Sequence, residues 1–196
     1  MSQQALPKPE LDAVLDAAAD CYLRYGVEKT TAADIAKGAG ISRATLYRRH
    51  GSHEAIFLAV LVRESEEMAA DAEVHLAGIT DPAERLVEGM LYAMGEIRRR
   101  PVHASVFTTD SAGWAATQAL RDRALHHLGE AGIRPLLASA GDAGVIPANT
   151  IDDLVDWMIR ILISYAVTPG PADLTQDDIR RQLESLFLPA VDRLLT

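Results

Sequence analysis

The chain has 196 residues, 48% of them apolar and 24% charged, and its 19 basic against 28 acidic side chains give a formal net charge of −9. That balance excludes intrinsic disorder, and a single cysteine excludes an intramolecular disulfide and a cysteine-rich zinc site. The N-terminal residues carry no apolar run of the secretory type, and the longest apolar run in the C-terminal third, 161–167, is too short for a bilayer. A cytoplasmic protein with no membrane partner is therefore expected, and net charge alone argues against nucleic acid.

Helical periodicity runs through almost every segment, and nothing alternates like a strand, so the expected class is all-α. In the first segment Leu11, Val14, Leu15, Ala18, Tyr22 and Tyr25 form one apolar stripe, stopped by Gly26. Thr30 or Thr31 can cap a second, short helix that buries Ala32, Ile35, Ala36 and Ala39. Gly40 ends it, and Ser42 caps a third helix over about 43–49, with Leu46 and at most Ala44 beside it to bury. Ser52 then opens a long helix reaching about residue 76, and Asp81-Pro82 opens another that Pro101 terminates. After a short piece at 102–109, a long helix is expected over 114–139, followed by a glycine-punctuated loop. Two helices, about 151–167 and 177–195, close the chain.

Charge is divided along this order. Residues 24–63 hold seven basic and three acidic side chains, a net +4, whereas residues 64–196 sum to −10. The basic window contains 31–47, TAADIAKGAGISRATLY: short helix, glycine turn, short helix. Ile35, Ile41 and Leu46 supply a small core, leaving Ser42, Arg43, Thr45, Tyr47 and Arg48 outside it. Hydroxyls, a guanidinium fork and an aromatic suit base edges and phosphates, as a helix-turn-helix requires.

Through LDAVLDAAADCYLRYG and TTAADIAKGAGISRATLYRRHGSHEAIF, residues 11–60 resemble the DNA-binding domain of the TetR/AcrR family of bacterial one-component repressors. The likeness covers about a quarter of the chain, and the remainder resembles the family in layout only. It implies that Ser42, Arg43, Ala44 and Thr45 face bases and that Thr31, Lys37 and Tyr47 lie near phosphates; Arg48, left outside the core on the same short helix, is a further candidate DNA contact. His50 stands where the family usually has an aromatic. His53 stands where it often has lysine, at a helix start suited to a phosphate contact. A neutral His53 would make operator affinity sensitive to pH or salt.

The expected organisation is a helix-turn-helix domain over 1–51 and a ligand-binding and dimerisation domain over 52–196, with 52–76 as connecting helix. The last two helices are apolar nearly all round, which predicts a four-helix homodimer interface. Leu154, Met158, Ile161, Leu162, Leu183, Leu186, Phe187, Ala190 and Leu194 are its expected residues. A dimer predicts a palindromic double-stranded operator. Met90, Met94, His103, Phe107, Trp114, His127 and Trp157 are candidate walls for a small apolar or amphipathic effector. Adjacent His126 and His127 diverge on a helix, and His126 with Glu130 makes only two ligands, so no metal and no cofactor is expected. An enzyme would need a constellation that Cys21 with His50 and His53 does not make, because a mid-helix cysteine beside an apolar stripe is usually packing. An all-α enzyme, or a DNA-binding protein without an effector, is the alternative.

Overall fold

A computed structural model describes residues 8–107, 112–139, 148–168, 170 and 174–195. All regular structure among them is helical: α1 (Lys8–Tyr25), α2 (Ala32–Gly38), α3 (Arg43–His50), α4 (His53–His75), α5 (Pro82–Arg99), α6 (Pro101–Val106), α7 (Ala112–Arg121), α8 (Arg123–Ser139), α9 (Ala148–Val167), α10 (Gln176–Gln182) and α11 (Leu188–Leu195). A π-helical turn, Leu183–Phe187, joins the last two.

Local chemistry explains the boundaries. Thr31 and Asp34 form a reciprocal capping box at α2, and the Ser42, Ser52 and Asp81 side chains accept the N3 N–H groups of α3, α4 and α5. After α2 the Ile41 N–H reaches the Ala36 carbonyl at 2.9 Å and the Gly40 N–H reaches Lys37 at 3.2 Å. This closing motif requires Gly40 at φ +68°, a conformation that other L-residues rarely adopt. The region expected as one helix over 114–139 is two. Asp122 interrupts it by accepting the N–H groups of Ala124 (2.9 Å) and Leu125 (3.0 Å), which starts α8 afresh. Near the C-terminus the Leu188 N–H bonds back to the Leu183 carbonyl, a wider turn just ahead of Pro189. Proline there has no N–H and crowds the preceding turn.

Two hydrophobic cores result. One joins α1, α2, α3 and the first half of α4 to Val102 and Val106 of α6 and to Ala115 and Ala119 of α7. Tyr22, Ile35, Leu46 and Phe57 are its fully buried anchors. Tyr25, expected on the α1 stripe, is instead 46% exposed beside the Arg24 guanidinium, because α1 ends there at Gly26. The second core unites Leu86, Val87, Met90, Leu91 and Met94 of α5 with Ile133, with Ile151, Leu154 and Val155 of α9, and with Leu183, Phe187 and Val191. Ion pairs brace the helices at the surface: Arg63 to Asp16 at 2.7 Å between α4 and α1, and Arg49 to Glu10 between α3 and α1. No helix among the described residues is long and apolar enough to cross a membrane.

Candidate DNA-reading face and ligand cavity

Leu46 alone anchors α3 inward, so the rest of that short helix is presented outward. Ser42, Arg43, Ala44, Tyr47 and Arg48 are exposed and Thr45 is half-buried, while Thr31 and Lys37 are exposed at the two ends of α2. The Arg43 guanidinium lies 5.4 Å from the Tyr47 ring centroid, one helical turn away, so each side chain restrains the other. No ion pair holds Lys37, Arg43 or Arg48 among the described residues, whereas Arg49 is committed to Glu10. Three hydroxyls already have work. Ser42 Oγ accepts the Thr45 N–H at 3.1 Å and lies 2.9 Å from Thr45 Oγ1. Thr31 Oγ1 donates to Asp34 at 2.5 Å, and that bond holds the Asp34 carboxyl below its usual range.

His53 departs from the expected outward phosphate contact. Its ring packs edge-on to Tyr22, with centroids 5.9 Å apart, and Nε2 is buried without a partner among the described residues. Burial pushes its imidazolium pKa down, against the opposing pull of Glu54. Both ring nitrogens of His50, a half-buried residue at the C-terminal end of α3, are likewise buried and unpartnered among the described residues. Cys21 is buried, and burial followed by the charge of Asp34 pushes its thiol up, the reverse of what a nucleophile needs.

The second feature is a cavity of about 260 Å³ where the two cores fail to meet. Leu61 and Ala119 come from the first core, Leu86, Met90 and Ile133 from the second, and α4, α5, α6, α7, α8 and α9 all contribute wall. Of the expected wall residues, Met90, His103 and Phe107 line it. The other four do not. Met94 is buried in the second core, and Trp114 packs on Phe57 with centroids 4.6 Å apart. His127 is exposed and pairs with Glu130 at 3.3 Å, the partner expected for His126. Trp157 is 41% exposed against Phe187. Helical spacing placed them on apolar faces but could not say which neighbour each face meets. Sequence reasoning missed Ser65, Met68 and Leu128, and it assigned Met158 and Leu162 to the dimer although they line the cavity.

His103 is a buried polar wall residue, 2% exposed. Burial, aided by the nearby Arg100 guanidinium, pushes its imidazolium down to about 4, while Glu96 pulls the other way. Its Nε2 lies 3.4 Å from Ser65 Oγ of α4. Among the described residues no group of three or more His, Cys, Asp and Glu side chains could hold a metal.

The expected dimer residues divide. Leu154, Leu183 and Phe187 are buried in the chain's own second core, and Ile161 and Ala190 are half-buried. Leu186 is 71% exposed, and the Leu194 side chain lies outside the described residues. The stripe that looked available to a partner is thus largely used within the chain.

A braced short helix with an exposed polar face, set on a helical body, defines a helix-turn-helix DNA-binding protein. Residues 14–60 match the family model for bacterial regulatory proteins of the tetR family. That match gives residues 14–60 the character of a tetR-family DNA-binding domain, and over most of its length the chain is similar to HTH-type transcriptional regulators. An uncharacterized HTH-type transcriptional regulator of Mycobacterium tuberculosis, MT1294, is 29% identical over 180 residues, covering 92% of this chain and 84% of that protein. Among solved structures, the TetR family repressor AlkX from Dietzia sp. aligns over 100% of both chains with TM-score 0.64 and 21% identity. RolR in complex with resorcinol aligns over 95% of this chain and 93% of that one, with TM-score 0.68 and 17% identity.

Proposed function

We propose that the chain is a ligand-released repressor that binds a palindromic operator as a homodimer, with residues 1–51 reading DNA and 52–196 sensing and dimerising. The observation that carries this reading is the double service of α6. Its Val102 and Val106 belong to the core beneath the DNA-reading helices, while neighbouring His103 and the following Phe107 line the cavity. A molecule that moves α6 or α4 must therefore move the support of the reading head. Arg43 and the α3 hydroxyls take base edges, and Lys37, Tyr47 and Arg48 take phosphates. Release requires the ligand to bind the two head spacings unequally, and by reciprocity operator DNA weakens ligand binding.

Exposed Trp157 and Leu186, beside buried Phe187, leave a small apolar patch on α9 and the π-helical turn, set among the exposed polar side chains Asp153, Arg160 and Glu184. Paired through it, two chains would set their recognition helices roughly 34–36 Å apart, one DNA turn. The repressor sense follows the kind of protein that the Dietzia AlkX is. The test is selection of genomic fragments bound by the full chain, with sedimentation at micromolar concentration. Palindromic sites bound by a dimer are expected; a monomer, or sites without dyad symmetry, overturns the reading.

A further inference from the structure

Ser65 and His103 make one polar part of the cavity wall, and Glu73, Arg85 and Tyr92 are its other polar members. Ser65 and His103 meet at 3.4 Å, the long limit of a hydrogen bond. Nδ1 of His103 is buried with no partner among the described residues, so the pair has hydrogen-bonding capacity unused. The rest of the wall is chiefly Leu, Ile, Met, Ala and Gly. Two charged side chains also reach it, but Arg85 and Glu73 bind each other at 2.6 Å, and Arg85 donates as well to the Leu76 carbonyl.

Resting on the regulator reading above, we propose that the cavity takes a small neutral amphiphile: an apolar body bearing one hydroxyl, seated with its oxygen at Ser65 and His103. Size sets the body. A cavity of about 150 Å³ holds one benzene, so one of about 260 Å³ holds roughly ten to twelve non-hydrogen atoms. That leaves no room to enclose a nucleotide-sized handle. The hydroxyl is chosen because it both donates and accepts, and so satisfies either tautomer of His103.

Charge disfavours the carboxylate analogue. His103 is neutral at pH 7, since its imidazolium is pushed down to about 4. The neighbouring cation, Arg100, is already held by Asp71 and by Glu96 at 3.1 Å, two carboxylates that would repel a third. A hydrocarbon of the same shape would seal the Ser65–His103 pair from water with nothing to bond.

The experiment is calorimetric titration of the full chain at pH 7.5 with 4-propylphenol, propylbenzene and 4-propylbenzoate, and with 1-nonanol as a linear probe. A hydroxyl probe is expected to bind about tenfold more tightly than propylbenzene or 4-propylbenzoate. Ser65→Ala, a mild change at a half-buried site, is expected to weaken the hydroxyl probe about five- to tenfold and leave propylbenzene unchanged. Equal or tighter binding of 4-propylbenzoate overturns the neutral head group. An unchanged affinity in Ser65→Ala overturns the seat, and failure of both hydroxyl probes to bind overturns the proposal. Operator binding is read separately on a selected fragment. A hydroxyl probe that binds as expected but leaves operator affinity unchanged upholds the site and overturns the effector role.

Discussion

The reading head and the cavity solve opposite problems with the same apolar-stripe grammar. In α3 one buried residue, Leu46, frees the remaining surface of an eight-residue helix for contact. In the cavity, side chains from six helices face inward and leave a gap. The head depends on local order fixed by caps and a glycine turn, whereas the cavity depends on how distant helices fail to pack. Damage to the head should therefore be sharp and specific, and damage to the cavity wall graded.

The largest effect should come from Leu46→Ala. It removes the one interior anchor of α3, at a cost of about 2–5 kcal/mol in stability. The urea midpoint should fall correspondingly and operator binding should vanish with it. A loss below about 1 kcal/mol would mean that α3 is held mainly by its caps and by the Arg49–Glu10 pair.

On the cavity side the corresponding probe is pH. His103 has its folded pKa depressed from 6.5 to about 4, so the unfolded chain binds the proton more readily. Its contribution is intact above pH 6.5 and is lost as pH falls toward 4, by about 3 kcal/mol in all. His53 in the head shifts in the same direction, while Glu64, raised by burial, shifts oppositely. Asp178, lowered to about 2 chiefly by the Thr175 hydroxyl, titrates below this window. Denaturation of wild type and His103→Gln at pH 7.5 and 5 isolates the term. The variant should lose most of the slope, and an unchanged slope would place the acid sensitivity in the head.

This contrast also explains what the sequence made legible. The head's caps, turn and core lie within about forty consecutive residues, so spacing alone located Gly40, Ser42 and Leu46 in their structural roles and narrowed the α2 cap to Thr30 or Thr31. His53 escaped because a helix start suits a phosphate ligand, and only tertiary packing turns the ring onto Tyr22. Cavity and core residues share one pattern, so Met90 and Met94 looked alike although only the first reaches the gap. Ser65 carried a usable signal, as a hydroxyl within the connecting helix opposite no obvious partner. Asp122 carried another, because an aspartate between two helical runs is an N-cap as readily as a surface charge.

A smaller and more selective effect is expected from Arg43→Ala. If the guanidinium makes a bidentate contact to a base, its loss costs about 1–3 kcal/mol at one base pair and relaxes preference there. Fold stability should stay unchanged, because Arg43 is exposed and its restraint is the Tyr47 ring. Binding measured against every single-base operator variant checks this, and an equal loss on all of them would reassign Arg43 to the backbone.

The smallest effect is reserved for Tyr47→Phe. The ring is 44% exposed and keeps its contact with Arg43 whether or not the hydroxyl is present. Only one hydrogen bond to a phosphate is at stake, about 0.5–1.5 kcal/mol, and it should be lost on every sequence alike. Because the hydroxyl is uncharged, the slope of affinity against salt should not move, whereas Arg48→Ala should reduce it by about one. A sequence-dependent loss in Tyr47→Phe would mean that the hydroxyl reads a base edge. The reading face would then extend a full turn further along α3, and Arg43 would share its specificity with the side chain that restrains it.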